Sequence, residues 1–488
     1  MFEHEAILSD GPAAALAGLA MLVAVSGCAS LKPQAPAPEA AFEAPVRWSA
    51  GLADGIPMAS DHGASLAGWW RRFQDPLLER LLERALRTNT SIAGARAALI
   101  QARAARDAAA AMLAANLNGS ATVRSSKTDA LATSNSYNAG FDASWEPDIF
   151  GSHRYGLDAG EAALAASAVS LGDVQVTVAA EVARTYIELR GTQARLEIAR
   201  ENLASQQQTL QITAWRMQAG LLTSLEEQQA ITAAEQAAAQ LPVLQTGLAQ
   251  LSHALAVLCA QAPAELDAAL AEPAPIPEAG ADLALSLPAD TLRQRADVRA
   301  AEYQLDAARA RVGQADAARY PAFQLQGSLG LSWLSPAWHG ADLLRAALAA
   351  VSGNIVDGGA SRAQLLLQRG ALAQAQASYQ NTVLTALREV EDALAALAGD
   401  RLRLLHLRTA ADAAANAALL ARQRYASGLV DFQTVLETQR GLYASEDGIA
   451  STRTEQSADM VRLYKALGGG WQAQSGESAA ALGGAGRL

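Results

Sequence analysis

The sequence predicts a mixed α and β fold in which short strands alternate with very long coiled-coil helices, the whole pattern occurring twice in one chain. Three observations predict it. Arg216-Met217-Gln218-Ala219-Gly220-Leu221 is echoed by Arg424-Tyr425-Ala426-Ser427-Gly428-Leu429, 208 positions later. Each copy interrupts a long Ala/Leu/Gln/Glu/Arg-rich tract, and glycine is the residue that lets a helix end and the chain reverse. Between these tracts, two stretches switch to a period of two, the signature of half-buried strands.

A chain of 488 residues would ordinarily divide into about three domains. Internal repetition overrides that expectation, because a duplicated unit need not form separate cores. Residues are 51% hydrophobic but only 5% aromatic, and alanine dominates the apolar share, which suits close-packed helices. A net charge of −11 argues against a nucleic-acid partner, since phosphate binding needs a basic face. No run of 18 or more apolar residues follows residue 30, so no transmembrane helix is expected in the mature chain. The six histidines are dispersed without metal-ligand spacing, and no phosphate-binding loop occurs. Neither an enzyme nor a metal site is expected, and the only cofactor would be a covalent lipid.

That lipid would sit on Cys28. Residues 1–27 read as a signal peptide whose apolar stretch from Ala13 closes on Val25-Ser26-Gly27-Cys28. This resembles a bacterial lipobox, in which the peptidase cuts before a cysteine that then carries lipid. Glu3, Glu5 and Asp10 stand where a basic n-region is expected, a departure from that pattern. Ala29 in the second position resembles the outer-membrane sorting default. Residues 28–65, with Pro33, Pro36, Pro38 and Pro45, form an extended tether. Cys259 follows Ala254-Leu255-Ala256-Val257-Leu258 and reads as a small buried residue.

The first repeat spans 66–270. It opens at Trp69-Trp70-Arg71-Arg72-Phe73, followed by Asp75-Pro76, after which Leu77, Leu78, Leu81, Leu82, Ala85 and Leu86 keep a helical rhythm. The helix restarts after Asn89 and is expected to reach about Ala115. Strands fall within about 117–148. Leu117, Gly119, Ala121 and Val123 alternate with polar neighbours, as do Tyr137, Ala139, Phe141, Ala143 and Trp145. A linker at 271–288 leads to the second repeat, 289–471, whose strands fall within about 322–357. There Phe323, Leu325, Gly327, Leu329, Leu331 and Trp333 alternate with polar residues, and a fourth, less regular strand runs from about Leu343 to Val356. The tract from Arg154 to Gln218 would be a helix of roughly 95 Å at 1.5 Å per residue, with one of similar length from residue 362. Helices this long with small alanines pack as coiled coils. Residues 472–488 read as a disordered tail.

Four strands, apolar on one side and polar on the other, cannot close a barrel. In a membrane an open edge leaves backbone groups unpaired at several kcal/mol each, so the strands must join those of other copies. Apolar faces would then meet outer-membrane lipid and polar faces a wet lumen. Tyr137, Phe141, Trp145, Tyr320, Phe323, Trp333 and Trp338 lie near strand ends or on the apolar face, as interface girdles do. A soluble β-sandwich with the apolar face buried is the alternative.

Several segments together resemble the TolC-like outer membrane factors, specifically the lipoprotein (NodT/OprM-like) branch that serves RND tripartite efflux pumps. They are Trp69-Trp70 with Phe73 and Asp75-Pro76; Ser144-Trp145-Glu146-Pro147-Asp148-Ile149-Phe150-Gly151; and Arg295-Ala296-Asp297-Val298-Arg299-Ala300-Ala301-Glu302. Later come Tyr320-Pro321, Asp357-Gly358-Gly359, Arg388-Glu389-Val390-Glu391 and Tyr464-Lys465-Ala466-Leu467-Gly468-Gly469-Gly470-Trp471. Ala296 departs from the family's usual proline. The resemblance implies a homotrimer with a 12-stranded outer-membrane barrel, continuous with a helical periplasmic barrel. Its implied partners are a periplasmic membrane-fusion adaptor and an inner-membrane RND pump, and its implied function is a passive conduit for small molecules.

On that resemblance Gly220 and Gly428 are turns at the far periplasmic end. Glu437, Gln433 and Arg440 match positions that line or tie the periplasmic aperture, with Asp431 beside them. Tyr425 and Glu226 match a hydrogen-bonded pair that latches the inner hairpin to its neighbour. Gln433 replaces an apolar constriction residue. Two other functions fit the same sequence: the outer-membrane duct of a type I protein secretion system, and a non-conducting periplasmic coiled-coil scaffold.

Overall fold

The computed structural model describes residue 48 and residues 66–127, 133–279, 292, 294–335 and 342–471. Cys28, the signal peptide, most of the tether, Trp338 and the tail lie outside the described residues.

A 3-10 turn, Trp69–Phe73, precedes α1 (Pro76–Thr88) and α2 (Thr90–Ala111). Strands β1 (Asn116–Ser126) and β2 (Ser134–Trp145) lead into α3 (Ser152–Gln218) and α4 (Ser224–Leu258). After one helical turn at Asp267–Leu270 come α5 (Ala296–Ala317), β3 (Ala322–Ser335), β4 (Asp342–Ser352), α6 (Ala360–Ala426) and α7 (Phe432–Ala466). Both α3 and α6 are 67 residues long, and α4 and α7 both 35. Ser152 and Ala360, like Ser224 and Phe432, stand 208 positions apart. At 1.5 Å per residue each long helix extends about 100 Å.

Capping explains why these helices start where they do. Asp75 caps α1 by accepting from the Leu77 and Leu78 amides, with Pro76 in the first helical position, where no N–H is needed. Asn89 accepts from the Ser91 and Ile92 amides and so restarts the chain as α2. The two long helices use the same device. Asp148 accepts from the amides of His153 and Arg154, and Asp357 from those of Gly359 and Ser361. Hydrogen bonds from Ser361 and Gly359 hold the Asp357 carboxyl down at about 2.

The chain forms two compact units. The first comprises the described parts of Ile100–Ala166 and Ala301–Tyr379. Its sheet has the order β1-β2-β3-β4, antiparallel throughout. Leu117 pairs with Ala143, Phe141 with Leu329, and Tyr137 with Trp333, so the apolar positions of β1, β2 and β3 share one face. Tyr137 and Trp333 stack with ring centroids 5.5 Å apart. Near the other end of the strands, Phe150 stacks on Tyr320 at 4.8 Å, with Phe323 at 6.4 Å from Phe150. The Trp145 indole donates to the Leu113 carbonyl.

Three boundaries differ from the sequence expectation. Helix α2 stops at Ala111, because the chain turns over residues 112–115 to enter β1 at Asn116. Strand β2 ends at Trp145 instead of 148, two residues before Pro147. Strand β4 ends at Ser352, the partner of Ala322, because the next partner in register would be Pro321, which has no N–H to donate. The irregularity of β4 also has a structural form. Leu344 and Leu348 lie opposite Gly330 and Gln326 on the polar face, whereas Arg345 lies opposite Leu329 on the apolar face.

The second unit holds the described parts of Phe42–Leu99, Ser167–Ala300 and Gln380–Leu488. Its core gathers Trp69, Leu78 and Leu82, Tyr186 and Ile187 of α3, Leu255 of α4, Val390 of α6, and Leu463 and Tyr464 of α7. Trp69 stacks on Tyr464 at 5.3 Å, and Tyr186 donates to the Asp75 cap at 2.8 Å. Arg295, only 5% exposed, donates to the Ala466 carbonyl and to the carboxylates of Asp297 and Glu389. It thereby ties the end of α7 to the start of α5. Helix α5 begins at Ala296, with the Asp297 carboxylate accepting from the Val298 amide. Cys259 is buried, as expected.

Alanine composition brings 18-residue windows of α3 and α4 to mean hydropathies of 1.4 and 1.3, enough for a membrane helix by length and composition alone. The sequence reading missed this because no single run is uninterruptedly apolar. Helix α4 also continues through Pro242, which removes one backbone donor from its interior.

Small residues set the helix spacing. A Cβ at Gly191 of α3 would lie 2.0 Å from the Thr454 Oγ1 of α7, whereas one at Gly247 of α4 would meet nothing within 4 Å. Gly191→Leu is therefore expected to destabilise the second unit by about 1–3 kcal/mol through overpacking. Gly247→Ala should be neutral or stabilising by up to about 1 kcal/mol. Equal unfolding midpoints for the two variants would refute this packing.

A second prediction concerns pH. Burial, then the neighbouring Asp459 and Glu455, pushes the Asp400 carboxyl up to about 6. The folded state then holds the proton more tightly than the unfolded chain, so stability falls as pH rises from about 4 to about 6. Asp400→Asn should raise the unfolding midpoint at pH 7–8 and leave it nearly unchanged below pH ~4. An equal shift at both pH values would contradict the assignment.

Candidate functional site

The two repeated hexapeptides form the same turn. Gly220 and Gly428 adopt φ of 74° and 73°, a left-handed conformation that glycine reaches without strain. The Leu221 amide donates to the Arg216 carbonyl and the Gly220 amide to the Met217 carbonyl. In the second copy Leu429 donates to Arg424 and Gly428 to Tyr425. This six-to-one closure satisfies carbonyls that a helix end would otherwise leave bare. Four residues later each chain segment is capped into the next helix. Thr223 and Glu226 form a capping box at α4, and Asp431 accepts from the Thr434 amide at α7.

The two turns are joined. Arg216, at the end of α3, donates to the Tyr425 carbonyl at 2.7 Å, and its guanidinium lies 4.7 Å from the centre of the Tyr425 ring. Tyr425 is 5% exposed and packs on Phe432 within a cluster that includes Ala230, Ala233, Ala421, Val435 and Leu436. Two further links bind α3 to α7. Buried Gln439 donates to the hydroxyls of Ser205 and Thr209, and Arg195 grips Asp447 through two hydrogen bonds of 2.7 and 3.1 Å.

Phe432, Val435, Leu436 and Gln439 form the buried face of α7. Gln433, Glu437 and Arg440 are exposed and spaced i, i+4, i+7, so they share the opposite face. Gln433 donates to the Glu437 carboxylate at 3.0 Å. Arg440 makes no hydrogen bond or ion pair among the described residues. Asp431 does not belong to this stripe. It is the N-cap of α7, and the Thr434 hydroxyl lowers its pKa.

Tyr425 and Glu226 are not brought together within the chain. The Glu226 carboxylate is taken by the hydroxyl and amide of Thr223, three residues away, and the Thr223 hydroxyl is the main cause of its lowered pKa. The Tyr425 hydroxyl is buried with no partner among the described residues. Arg216 occupies the connecting role instead. The sequence held one signal for it: Arg216 and Arg424 are equivalent, but only the second is followed by an aromatic residue whose ring a cation could cover.

The aromatics expected at a membrane interface lie in two groups. Tyr137 and Trp333 stack on the end of the sheet remote in sequence from the helices, while Trp145 and Phe323 lie at the end that leads into them. Phe141, 59% exposed, lies between these groups on the apolar face.

The sequence matches the family model for outer membrane efflux protein over residues 81–261 and again over 287–469. It is 32% identical over 456 residues to the pyoverdine export outer membrane protein OpmQ of Pseudomonas aeruginosa, covering 90% of this chain and 94% of that one. It is 31% identical over 471 residues to the toluene efflux pump outer membrane protein TtgF of Pseudomonas putida, covering 93% and 96%. Among solved structures, the outer-membrane channel OprN is similar with a TM-score of 0.83 at 32% identity, over 90% of this chain and 100% of that one.

Removing the Arg216 link should loosen the second turn specifically. Arg216→Ala is expected to cost about 1–2 kcal/mol locally, from the lost charged hydrogen bond and the cation–π contact. Hydrogen exchange of the Gly428 and Leu429 amides should then accelerate roughly 5- to 30-fold. Arg424→Ala, whose side chain is exposed, should leave those amides unchanged. Equal acceleration in both variants would remove Arg216 from this role.

Proposed function

The chain belongs to the outer membrane efflux protein family, and from that premise we propose that three copies form a passive outer-membrane conduit continued by a long periplasmic helical tunnel. The chain is the outer-membrane component of an efflux system. The observation that carries the conduit reading is the open sheet with one exposed apolar face. Leu117, Val123 and Phe141 are 67%, 74% and 59% exposed, and β1 and β4 have no strand partner on their outer edges among the described residues. Three four-stranded sheets joined edge to edge give twelve strands and no bare edge.

Dimensions support the same reading. Phe323 and Trp333 are ten residues apart on β3, about 33 Å along the strand and about 23 Å when tilted by 45°. An outer-membrane barrel presents an apolar band about 25 Å tall between aromatic girdles. The recurrence of 22-, 67- and 35-residue helices supports an internal duplication, which lets one chain supply both a strand pair and a hairpin twice over. The covalent lipid on Cys28 would add a second hold on the membrane.

In this reading transport is driven by partners. Leu221, Leu225 and Leu429, 67%, 64% and 74% exposed at the two turns, offer an apolar contact for a periplasmic adaptor that links the conduit to an inner-membrane RND pump. Threefold symmetry would bring three copies of Glu437 around the axis, favouring cations. Arg440, without a hydrogen-bond or ion-pair partner among the described residues, would be available to the neighbouring copy, while Arg216 holds the two hairpins of each copy together.

Planar-bilayer recording tests this function. Wild-type protein should give a small cation-selective conductance. Glu437→Gln should reduce the cation preference, and Arg216→Ala should raise the resting conductance. A folded assembly with no conductance would favour a structural scaffold over a channel.

A further inference from the structure

On the apolar face of the sheet, Arg345 is the one charged residue among the described strand positions. Register places it beside Leu329, and Leu329 beside Phe141, which in turn faces Gly119. No hydrogen bond or ion pair from its side chain exists among the described residues. The nearest acidic residue of β4, Asp342, pairs with Ser332 and so projects from the opposite face. A neighbouring copy cannot supply the missing countercharge through β1 either. The positions of β1 on this face are Leu117, Gly119, Ala121, Val123 and Ser125.

A guanidinium on a lipid-facing surface is costly unless it reaches an anion, and its long stem allows it to do so near an interface. Arg345 stands three residues from the start of β4 at Asp342 and seven from its end at Ser352. Its partner Leu329 lies four residues from Trp333 and six from Phe323, so Arg345 sits on the outer side of the band's middle. At a tilt of about 45° it is about 9 Å below the outer girdle, and its guanidinium must extend toward the end of the sheet away from the long helices. If those helices are periplasmic, as in the function proposed above, that end meets the outer leaflet. The glycolipid of that leaflet carries phosphates close to its acyl chains. Around Arg345 the face is low: Gly327 is paired with Ala347, and a Cβ at Gly327 would meet nothing within 4 Å.

We propose that Arg345 binds a phosphate of an outer-leaflet glycolipid, the guanidinium taking the anion bidentately while an acyl chain lies over the Gly327–Ala347 strip. This makes β4 a lipid-recognition strand as well as a wall of the conduit. It also accounts for a charge on the face that otherwise alternates as a lipid-exposed surface should.

The full-length assembly, purified in detergent, can be titrated with fluorescent phosphorylated lipid A. Arg345→Leu is expected to weaken binding at least fivefold relative to wild type, with Arg345→Lys intermediate. Wild type should bind fully dephosphorylated lipid A as weakly as Arg345→Leu binds the phosphorylated form. Inorganic phosphate at millimolar concentration should not displace the lipid, because a free anion lacks the acyl contact. Equal binding by wild type and Arg345→Leu would overturn the proposal. So would indifference to the lipid phosphates, or full displacement by inorganic phosphate. Bilayer conductance of both proteins separates this inference from the reading beneath it. Equal conductance with unequal lipid binding is the expected result. Loss of conductance in wild type refutes the conduit and this site together, whereas conductance with equal lipid binding refutes only the site.

Discussion

Half of the backbone N–H and C=O groups of β1 and β4 point outward from the two edges of a sheet that has no further strand to offer them. In water those groups would be solvated. In the hydrocarbon core of a membrane they would be bare, and each would cost several kcal/mol. With the apolar side chains of β1–β3 already exposed on one face, closure by other copies of itself, as in the proposed conduit, would satisfy both side chains and backbone. In that proposal oligomer, lumen and lipid contact would all descend from the one requirement. Arg345 is the exception that the same constraint makes conspicuous, since a surface built for lipid tolerates a charge only where an anion is within reach.

The helices solve a different problem with repeated parts. A 67-residue helix can bury itself only along a neighbour, so its contacts must recur over its whole length. Alanine faces and the Gly191–Thr454 contact bring α3 and α7 close, while Arg195–Asp447 and Gln439 fix their register. At the turns the two copies diverge. The carbonyl of Met217 accepts the Gly220 amide, whereas that of Tyr425 accepts both the Gly428 amide and the Arg216 guanidinium. Identical turn geometry is thus combined with a link supplied by Arg216 of the first turn alone.

Most of this architecture was legible in the residues. The repeated Arg-x-x-x-Gly-Leu turns and the period-two stretches are local signals, and local signals survive without knowledge of the fold. Gln433, Glu437 and Arg440 are singled out through the resemblance, and their spacing of i, i+4, i+7 places them on one exposed face. Contacts between distant segments were not legible. Arg216 reaches across more than two hundred positions to Tyr425, and the aromatic ring after Arg424 is the one local hint of the pairing. The supposed bond between Tyr425 and Glu226 came from resemblance, and a closer partner, Thr223, holds that carboxylate. The end of β4 depended on Pro321 lying opposite Gly353, which is a matter of register.

In a membrane the sheet is expected only as part of a closed ring of copies. The mass of the assembly extracted in mild detergent, measured by light scattering with the detergent contribution removed, tests it most directly. Three copies with the strand signal intact is the predicted result. A single chain that keeps its strand content in the membrane would contradict the account, because its two edges would then be stable without partners.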